Sequence, residues 1–449
     1  MLQSTSDTIV ALATPPVPSP ISLIRLSGSQ SIQIAEQIFY KKNGKPGKTF
    51  SHFRIYYGFI KDGEESVDEV LLHVMRAPHT YTGEDMLEIT SHGSLMIQKR
   101  ILGLLTRHGA RLAGPGEFTR RAFINGKLDL VRAEAVNDLI SAGNEYAYKI
   151  ALAQLEGTLS AKIRRLRDSL IGLESELEAM LDFPDDVENV SEGAISERIA
   201  EITGMFEELL SGSRFSRVYW EGLRTVIIGP TNAGKSTLFN FLCREERAIV
   251  TEIPGTTRDF LEADTDLDGI PLKLVDTAGL RESSEVIEKI GMQRALSALA
   301  GAELVLLVEE AGKFGEFQLP EEALGKPLIR IANKIDLAQP LSGNDLCFQL
   351  SLLTGTGLAG FESALAEAIR SRFQLCHEGS FMVNQRQRQE LVLGAEAVDR
   401  SAELISTGHH LDLVCGELRK AVFNLRSVLG EITSEEILDN IFSRFCIGK

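Results

Sequence analysis

Three textures of apolar and polar positions follow one another along the chain. From Thr8 to about Arg120, short β-prone runs (Ile21 to Leu26, Phe53 to Ile60, Val70 to Val74, Met86 to Thr90) are broken by Gly, Pro and Asp turns, and a helical periodicity covers Leu95 to Leu105. From about Leu155 the period lengthens. Leu155, Leu159, Ile163, Leu166, Leu170, Leu173, Leu177 and Leu181 form the stripe of one long helix, stopped by Pro184. Ile195, Ile199, Ile202, Phe206 and Leu209 predict its hairpin partner. The helical texture returns after Phe381, with helices expected over Leu411 to Leu429 and Ser434 to Phe445, the last opened by a capping box of Thr433 and Glu436.

Between these helical stretches, short apolar strands (Thr225 to Ile228, Leu272 to Val275, Leu304 to Val308, Leu328 to Ile331, Phe348 to Leu350) alternate with helix-length segments, as in a doubly wound parallel sheet. The expected architecture is multidomain. It has an α+β module over residues 1–120, an all-α domain in two parts over 121–216 and 378–449, and an α/β domain inserted between them over 217–377. The alternative is two independent helical domains.

With 449 residues, 43% hydrophobic and 24% charged, the chain is long enough for two or three globular domains, and disordered and fibrous classes are excluded. A formal charge of -16 argues against gripping nucleic acid over the whole surface, so an RNA partner must meet a local basic patch or be held by another subunit. Five cysteines without a C-x-x-C pair fit reduced thiols in a cytosol. No basic residue precedes the first apolar stretch and no run approaches the length that spans a bilayer, so a cytoplasmic protein is expected.

The chemistry lies in the middle texture. Gly229-Pro230-Thr231-Asn232-Ala233-Gly234-Lys235-Ser236 fits G-x-x-x-x-G-K-[ST], follows an apolar strand and opens the helical Thr237-Leu238-Phe239-Asn240. Such glycines let backbone N–H groups close on phosphate oxygens, the lysine reaches the β and γ phosphates, and the serine ligates Mg2+. Asp276-Thr277-Ala278-Gly279 ends the next apolar strand, where the carboxylate can hold the Mg2+ shell and the Gly279 amide can face the γ-phosphate. Thr251-Glu252-Ile253-Pro254-Gly255-Thr256-Thr257-Arg258 lies between them, a hydroxyl-rich loop placed to supply Thr257 to Mg2+. In Asn333-Lys334-Ile335-Asp336 the carboxylate can accept from guanine N1–H and its 2-amino group, a pattern adenine does not offer. GTP is therefore expected over ATP.

Leu280 follows the D-x-x-G glycine where Ras-like proteins carry a water-positioning Gln, so another group must align the water. The acids between Glu282 and Glu288 are one pool, with solvated surface carboxylates as the alternative. Asn232 either ligates a monovalent cation near the phosphates or caps its loop.

These motifs resemble the branch of bacterial GTPases that includes Era and Der. The flanks narrow the resemblance: Ala13-Thr14-Pro15-Pro16, Tyr81-Thr82-Gly83-Glu84-Asp85, Pro115 to Phe123, Lys127-Leu128-Asp129-Leu130, Asp182-Phe183-Pro184 and Phe445-Cys446-Ile447-Gly448-Lys449 are similar to the MnmE (TrmE) family of tRNA modification GTPases over essentially the whole chain. The resemblance implies a homodimer that works with an FAD-dependent MnmG-like partner in a heterotetramer or larger. It also implies GTP, Mg2+, K+ and a methylene- or formyl-tetrahydrofolate, used to install an aminomethyl-type group at C5 of the tRNA wobble uridine, and K+-dependent pairing of G domains.

Carried onto matching positions, it implies folate contacts from Arg25, Glu88, Lys127 and Lys449 in a folate-binding, dimerising N-terminal module. It further implies K+ ligation by Asn232, Thr251, Ile253 and Thr256, Mg2+ ligation by Ser236 and Thr257, and water alignment by Glu288. Cys446 is placed in or near the modification chemistry, against the alternatives of a prenylated or a buried structural thiol. Departures are Val17-Pro18-Ser19-Pro20-Ile21 where the family has a glycine-rich stretch, Pro230-Thr231 in the phosphate loop, and Ser351-Leu352-Leu353 in the last base-contacting element. Competing functions are a ribosome-assembly GTPase like Era or Der, and a folate-dependent transferase that needs no tRNA.

Overall fold

The computed structural model describes residues 7–183, 191–211, 218, 222–243, 262–276, 297–338, 347–373, 382–407 and 409–449. The chain forms two compact units, one made of Met1–Ile140, Leu152–Thr203 and Glu390–Lys449, the other of Ser141–Ala151 and Gly204–Gln389.

In the first unit, strands β1 (Ile9–Leu12), β2 (Ser19–Ser27), β3 (Phe39–Lys41), β4 (Arg54–Asp62), β5 (Glu65–Met75), β6 (Met86–Gly93) and β7 (Arg111–Leu112) form one sheet in the order β3-β4-β5-β6-β2-β1-β7. Every pairing is antiparallel except β1 with β7. Alternation decides the faces. Val10, Ile24, Leu26, Leu72, Val74, Leu87 and Ile89 are buried in one core with residues of helices α1 (Ser31–Ile38) and α2 (Leu95–Arg107). On the other face Ile9, Ala11 and Met86 pack with Phe118 of α3 (Glu117–Ile124). That face also carries Arg25 and Glu88, which stand opposite each other on β2 and β6.

Helices α4 (Leu130–Ser141), α5 (Glu145–Glu156), α6 (Thr158–Asp182) and α7 (Glu192–Ser211) follow. The single long helix expected from Leu155 is two helices, because Gly157 takes φ 97° and turns the chain left-handed between them. The stripe holds from Leu159 to Leu177: Leu159, Ile163, Leu166, Leu170, Leu173 and Leu177 are buried, as are Ile195, Ile199, Ile202, Phe206 and Leu209, whereas Leu181, expected to close the stripe, is exposed in the last turn. Pro184, the expected stop, lies outside the described residues, and α6 already ends at Asp182.

The second unit holds a six-stranded sheet, β13-β12-β11-β8-β10-β9, from β8 (Leu223–Ile228), β9 (Glu262–Leu267), β10 (Ile270–Asp276), β11 (Leu304–Glu310), β12 (Leu328–Asn333) and β13 (Cys347–Gln349). It is parallel except for β9, an antiparallel edge strand that the expectation of an all-parallel sheet missed. The signal was Asp268-Gly269, both at positive φ and joining Leu267 to Ile270 in a two-residue hairpin. Apolar cores cover both faces, one including α8 (Lys235–Leu242) and α9 (Phe361–Phe373), which places the phosphate and base loops together at the carboxyl ends of the parallel strands.

Helices α10 (Gln385–Ser406), α11 (Leu411–Leu429) and α12 (Glu435–Phe442) complete the chain. The second part of the helical texture packs on the first: Arg419 of α11 binds Glu174 at 2.8 Å and also Glu178 on α6, and Arg167 of α6 binds Glu431. The cap of α12 is one residue later than expected. Ser434 Oγ accepts from the Ile437 amide at 3.3 Å, whereas Thr433 Oγ1 is buried without a partner, so the box of Thr433 and Glu436 does not form.

Candidate functional site

The phosphate-loop motif runs from the end of β8 into α8. Gly229 has φ 145°, and a Cβ there would lie 2.0 Å from the Val308 carbonyl oxygen. Gly234 has φ 104°, and its Cβ would lie 2.2 Å from Asn333 Nδ2. Both positions therefore need glycine for space as well as for conformation. Between them Asn232 is also left-handed, at φ 63°, a region Asn enters more readily than most residues. Ala233 is buried, Asn232, Ser236 and Thr237 are exposed, and Lys235 Nζ donates to the carbonyls of Gly229 at 3.0 Å and Pro230 at 2.7 Å.

The base motif is tied directly to this loop. Asn333, 4% exposed at the end of β12, donates from Nδ2 to the Ala233 carbonyl at 2.8 Å and accepts at Oδ1 from the Leu352 amide at 3.0 Å. One carboxamide thus joins the phosphate loop, the base motif and the Ser351-Leu352-Leu353 element, and the backbone amide of Leu352 suffices for the last of these. Lys334 takes φ 64°, and Asp336 is exposed on the short helical turn Ile335–Leu337.

The sequence does not announce Glu310, whose carboxylate pairs with Lys334 Nζ. Two acids closing an otherwise apolar strand were the available signal. Glu309 is buried and accepts from the Gly315 amide at 3.0 Å, while Glu310 stands in register with Asn333.

Asp276 is the last residue of β10, in register with Ile227 of β8. Its side chain, and all of Thr251, Glu252, Ile253, Pro254, Gly255, Thr256, Thr257, Thr277, Ala278, Gly279 and Glu288, lie outside the described residues.

In the other unit, three of the four residues expected around folate come together. Arg25 Nε and Nη2 reach Glu88 Oε1 at 2.9 and 2.8 Å, and Arg25 Nη1 donates to the Gly448 carbonyl at 3.1 Å. The guanidinium carbon lies 5.9 Å from the ring centre of Tyr81 and 5.8 Å from that of Phe118, neither of which was expected there. The segment Cys446–Lys449 is seated on this site by its backbone: Cys446 O accepts from Gly116 N and Lys449 O from Phe118 N at 3.2 Å. Gly448, at φ 94°, would set a Cβ 2.7 Å from the Leu12 carbonyl. Lys127 is the exception, its Nζ donating to the Pro78 carbonyl at 3.0 Å. Cys446 is exposed, which removes the alternative of a buried structural thiol.

The same unit holds a charge network centred on one buried guanidinium. Arg121, 2% exposed, is shared by Asp7 Oδ1 at 2.7 Å, Glu84 at 3.1 Å and Glu117 at 3.1 Å, and it braces the start of β1 against α3. No helix among the described residues is long and apolar enough to cross a membrane, and no group of three or more His, Cys, Asp or Glu among them forms a metal cluster.

The comparisons agree along the chain. The family described as the MnmE helical domain matches residues 130–446, and that described as the GTP-binding protein TrmE N-terminus matches residues 8–127. The tRNA modification GTPase MnmE of Alkaliphilus metalliredigens is 39% identical over 457 residues, covering 99% of each chain. Its counterpart from Listeria innocua is 40% identical over 462 residues, again covering 99% of each. Among solved structures, a crystal structure of Era from Aquifex aeolicus aligns with 38% of this chain and 65% of that one, at 22% identity and a TM-score of 0.24. At such identity over the full length, the chain belongs to the MnmE (TrmE) family of tRNA modification GTPases.

Proposed function

We propose that this chain hydrolyses GTP and, with an FAD-dependent partner of the MnmG type, installs an aminomethyl-type group at C5 of the tRNA wobble uridine, using a tetrahydrofolate-borne carbon. The observation that carries the GTPase half is the Asn333 bridge, which makes phosphate loop and base motif one rigid piece. Backbone amides from Asn232 to Thr237 and the Lys235 ammonium hold the triphosphate, and Asp336 reads the guanine edge.

The residues fit the ions the family implies. Ser236 stands in the first turn of α8 and, with Thr257 and Asp276, would hold Mg2+, while Asn232 with Thr251, Ile253 and Thr256 would hold K+. The cations supply charge neutralisation at the phosphate oxygens. Glu288 aligns the attacking water in place of the Gln replaced by Leu280. The K+ site forms when two G domains of a homodimer pair.

The half-buried Arg25 and Glu88 fit folate, since a carboxylate can read a pterin donor edge and a guanidinium can pair an anionic tail. Lys127 and Lys449 complete this set, and Cys446 on the adjoining segment takes part in the modification chemistry. The full-length match to tRNA modification relatives speaks against an assembly factor.

Nucleoside analysis of tRNA from cells lacking the protein tests the reading, and an unmodified wobble uridine is expected. An unchanged one refutes it. Hydrolysis is expected to be much faster in K+ than in Na+, and Glu288→Ala is expected to bind GTP without turnover. Equal rates in the two salts defeat the cation site, and an active Glu288→Ala defeats the carboxylate.

A further inference from the structure

Glu310 closes β11 one strand away from the base motif, in register with Asn333. Its carboxylate pairs with Lys334 Nζ, with the two side chains 30% and 32% exposed. That hydrogen bond, more than any other influence, holds the Glu310 carboxyl below its ordinary range. Lys334 leaves β12 in a left-handed conformation, and Asp336 follows two residues later, exposed and without an ion pair among the described residues.

This arrangement poses a physical problem. A lysine on a flexible four-carbon stem, two residues from an exposed carboxylate, has that carboxylate as an alternative partner. An Asp336 neutralised by Lys334 would be a poorer acceptor for the N1–H and 2-amino group of guanine. Glu310 removes the competition by engaging the ammonium from the neighbouring strand. It also restricts a stem that otherwise loses rotamer freedom when a base is laid along it.

We propose that Glu310 is a positioning residue for guanine recognition, acting through Lys334 to fix the stem against the base plane and to leave Asp336 unpaired for the purine. The inference rests on the guanine-site reading above and deepens it.

The test measures GDP and IDP dissociation constants for the full chain in four forms: parent, Glu310→Gln, Lys334→Met and the double variant. IDP lacks the 2-amino group. Glu310→Gln is expected to weaken GDP binding about tenfold, the scale of coupling between contacting charged groups, and to narrow the preference for GDP over IDP. In the Lys334→Met background the same change is expected to alter neither quantity by more than about twofold. Glu310→Asp, which keeps the charge, recovers most of the affinity. Glu310→Leu serves as the neutral variant, with the same expected losses, where the glutamine form does not fold.

Unchanged GDP affinity and unchanged preference in the neutral variant overturn the proposal, as does a full loss that persists without Lys334. A parent chain that fails to bind GDP, or binds ADP as well, instead refutes the guanine-site reading itself.

Discussion

Asn333 Nδ2 and the Ala233 carbonyl are joined at 2.8 Å across a hundred residues of sequence, inside the core of the nucleotide unit. With the Leu352 amide on Oδ1, both ends of this carboxamide are used. Asn333→Ala leaves a buried carbonyl and amide unpaired, so nucleotide binding is expected to weaken by about 1–3 kcal/mol, or about 5- to 150-fold, as read by displacement of a fluorescent GDP. Gly234→Ala is expected to do at least as much damage, because its new methyl would meet the same Asn333 nitrogen.

On the proposed reading, Asp336 is the residue that distinguishes bases. Asp336→Asn replaces two acceptor oxygens by one acceptor and one donor, which suits the C2 carbonyl of xanthine. Comparing hydrolysis of GTP and XTP is expected to show the preference inverted, with GTP use lowered by at least about 100-fold. A variant that still prefers GTP would contradict the assignment.

Asp138 on α4 predicts a pH dependence of stability. Burial, reinforced by Glu134 one turn earlier, pushes its carboxyl up to about 7 from an ordinary 3.8. A carboxyl raised in the folded state contributes stability that is complete below its unfolded value and is lost as pH rises through the folded one. The loss amounts to roughly 1.4 kcal/mol for each pH unit between the two values. Asp138→Asn, neutral throughout, is therefore expected to melt above the parent at pH 8 and to lose that advantage at pH 4, as followed by thermal unfolding.

Glu117 predicts the opposite slope. Burial would raise it, but hydrogen bonds from Arg111, the Gly114 amide and Arg121 outweigh burial and hold it below its ordinary 4.5. Its contribution is present above that value and lost as pH falls through the depressed one. The Tm deficit of Glu117→Gln is expected to be largest near neutrality and to vanish in acid.

Gly448→Ala is expected to separate the two proposed halves of the activity. A methyl there collides with the Leu12 carbonyl, so Gly448→Ala is expected to unseat Cys446–Lys449 from β1 and α3. GTP hydrolysis by the purified chain should stay near the parent rate while tRNA modification falls, which nucleoside analysis and a phosphate-release assay read independently.

Much of this was legible in the sequence because the motifs are constrained by close approach. Gly229 and Gly234 are forced by a carbonyl and a carboxamide that leave no room for a side chain, and such necessity shows as fixed spacing. The stripe from Leu159 to Leu177 was legible for the same reason, each residue facing a closed core. What was missed depends on partners distant in sequence or on single backbone angles. Gly157 splits a helix whose apolar period runs on unbroken, and Ser434 wins the cap from Thr433 by local geometry. Glu310, Tyr81 and Phe118 become informative only once strands and helices bring them to Lys334 and Arg25.

The packing of α11 on α6 has a consequence for biosynthesis. Arg419 meets Glu174 only after residues 183–410 have left the ribosome, which at roughly 5–20 residues per second takes on the order of 10–50 seconds. Throughout that interval α6 has its neighbour α7 but lacks the apolar face that α11 supplies. The second unit, whose last residue is Gln389, is fully synthesised before the first residue of α11.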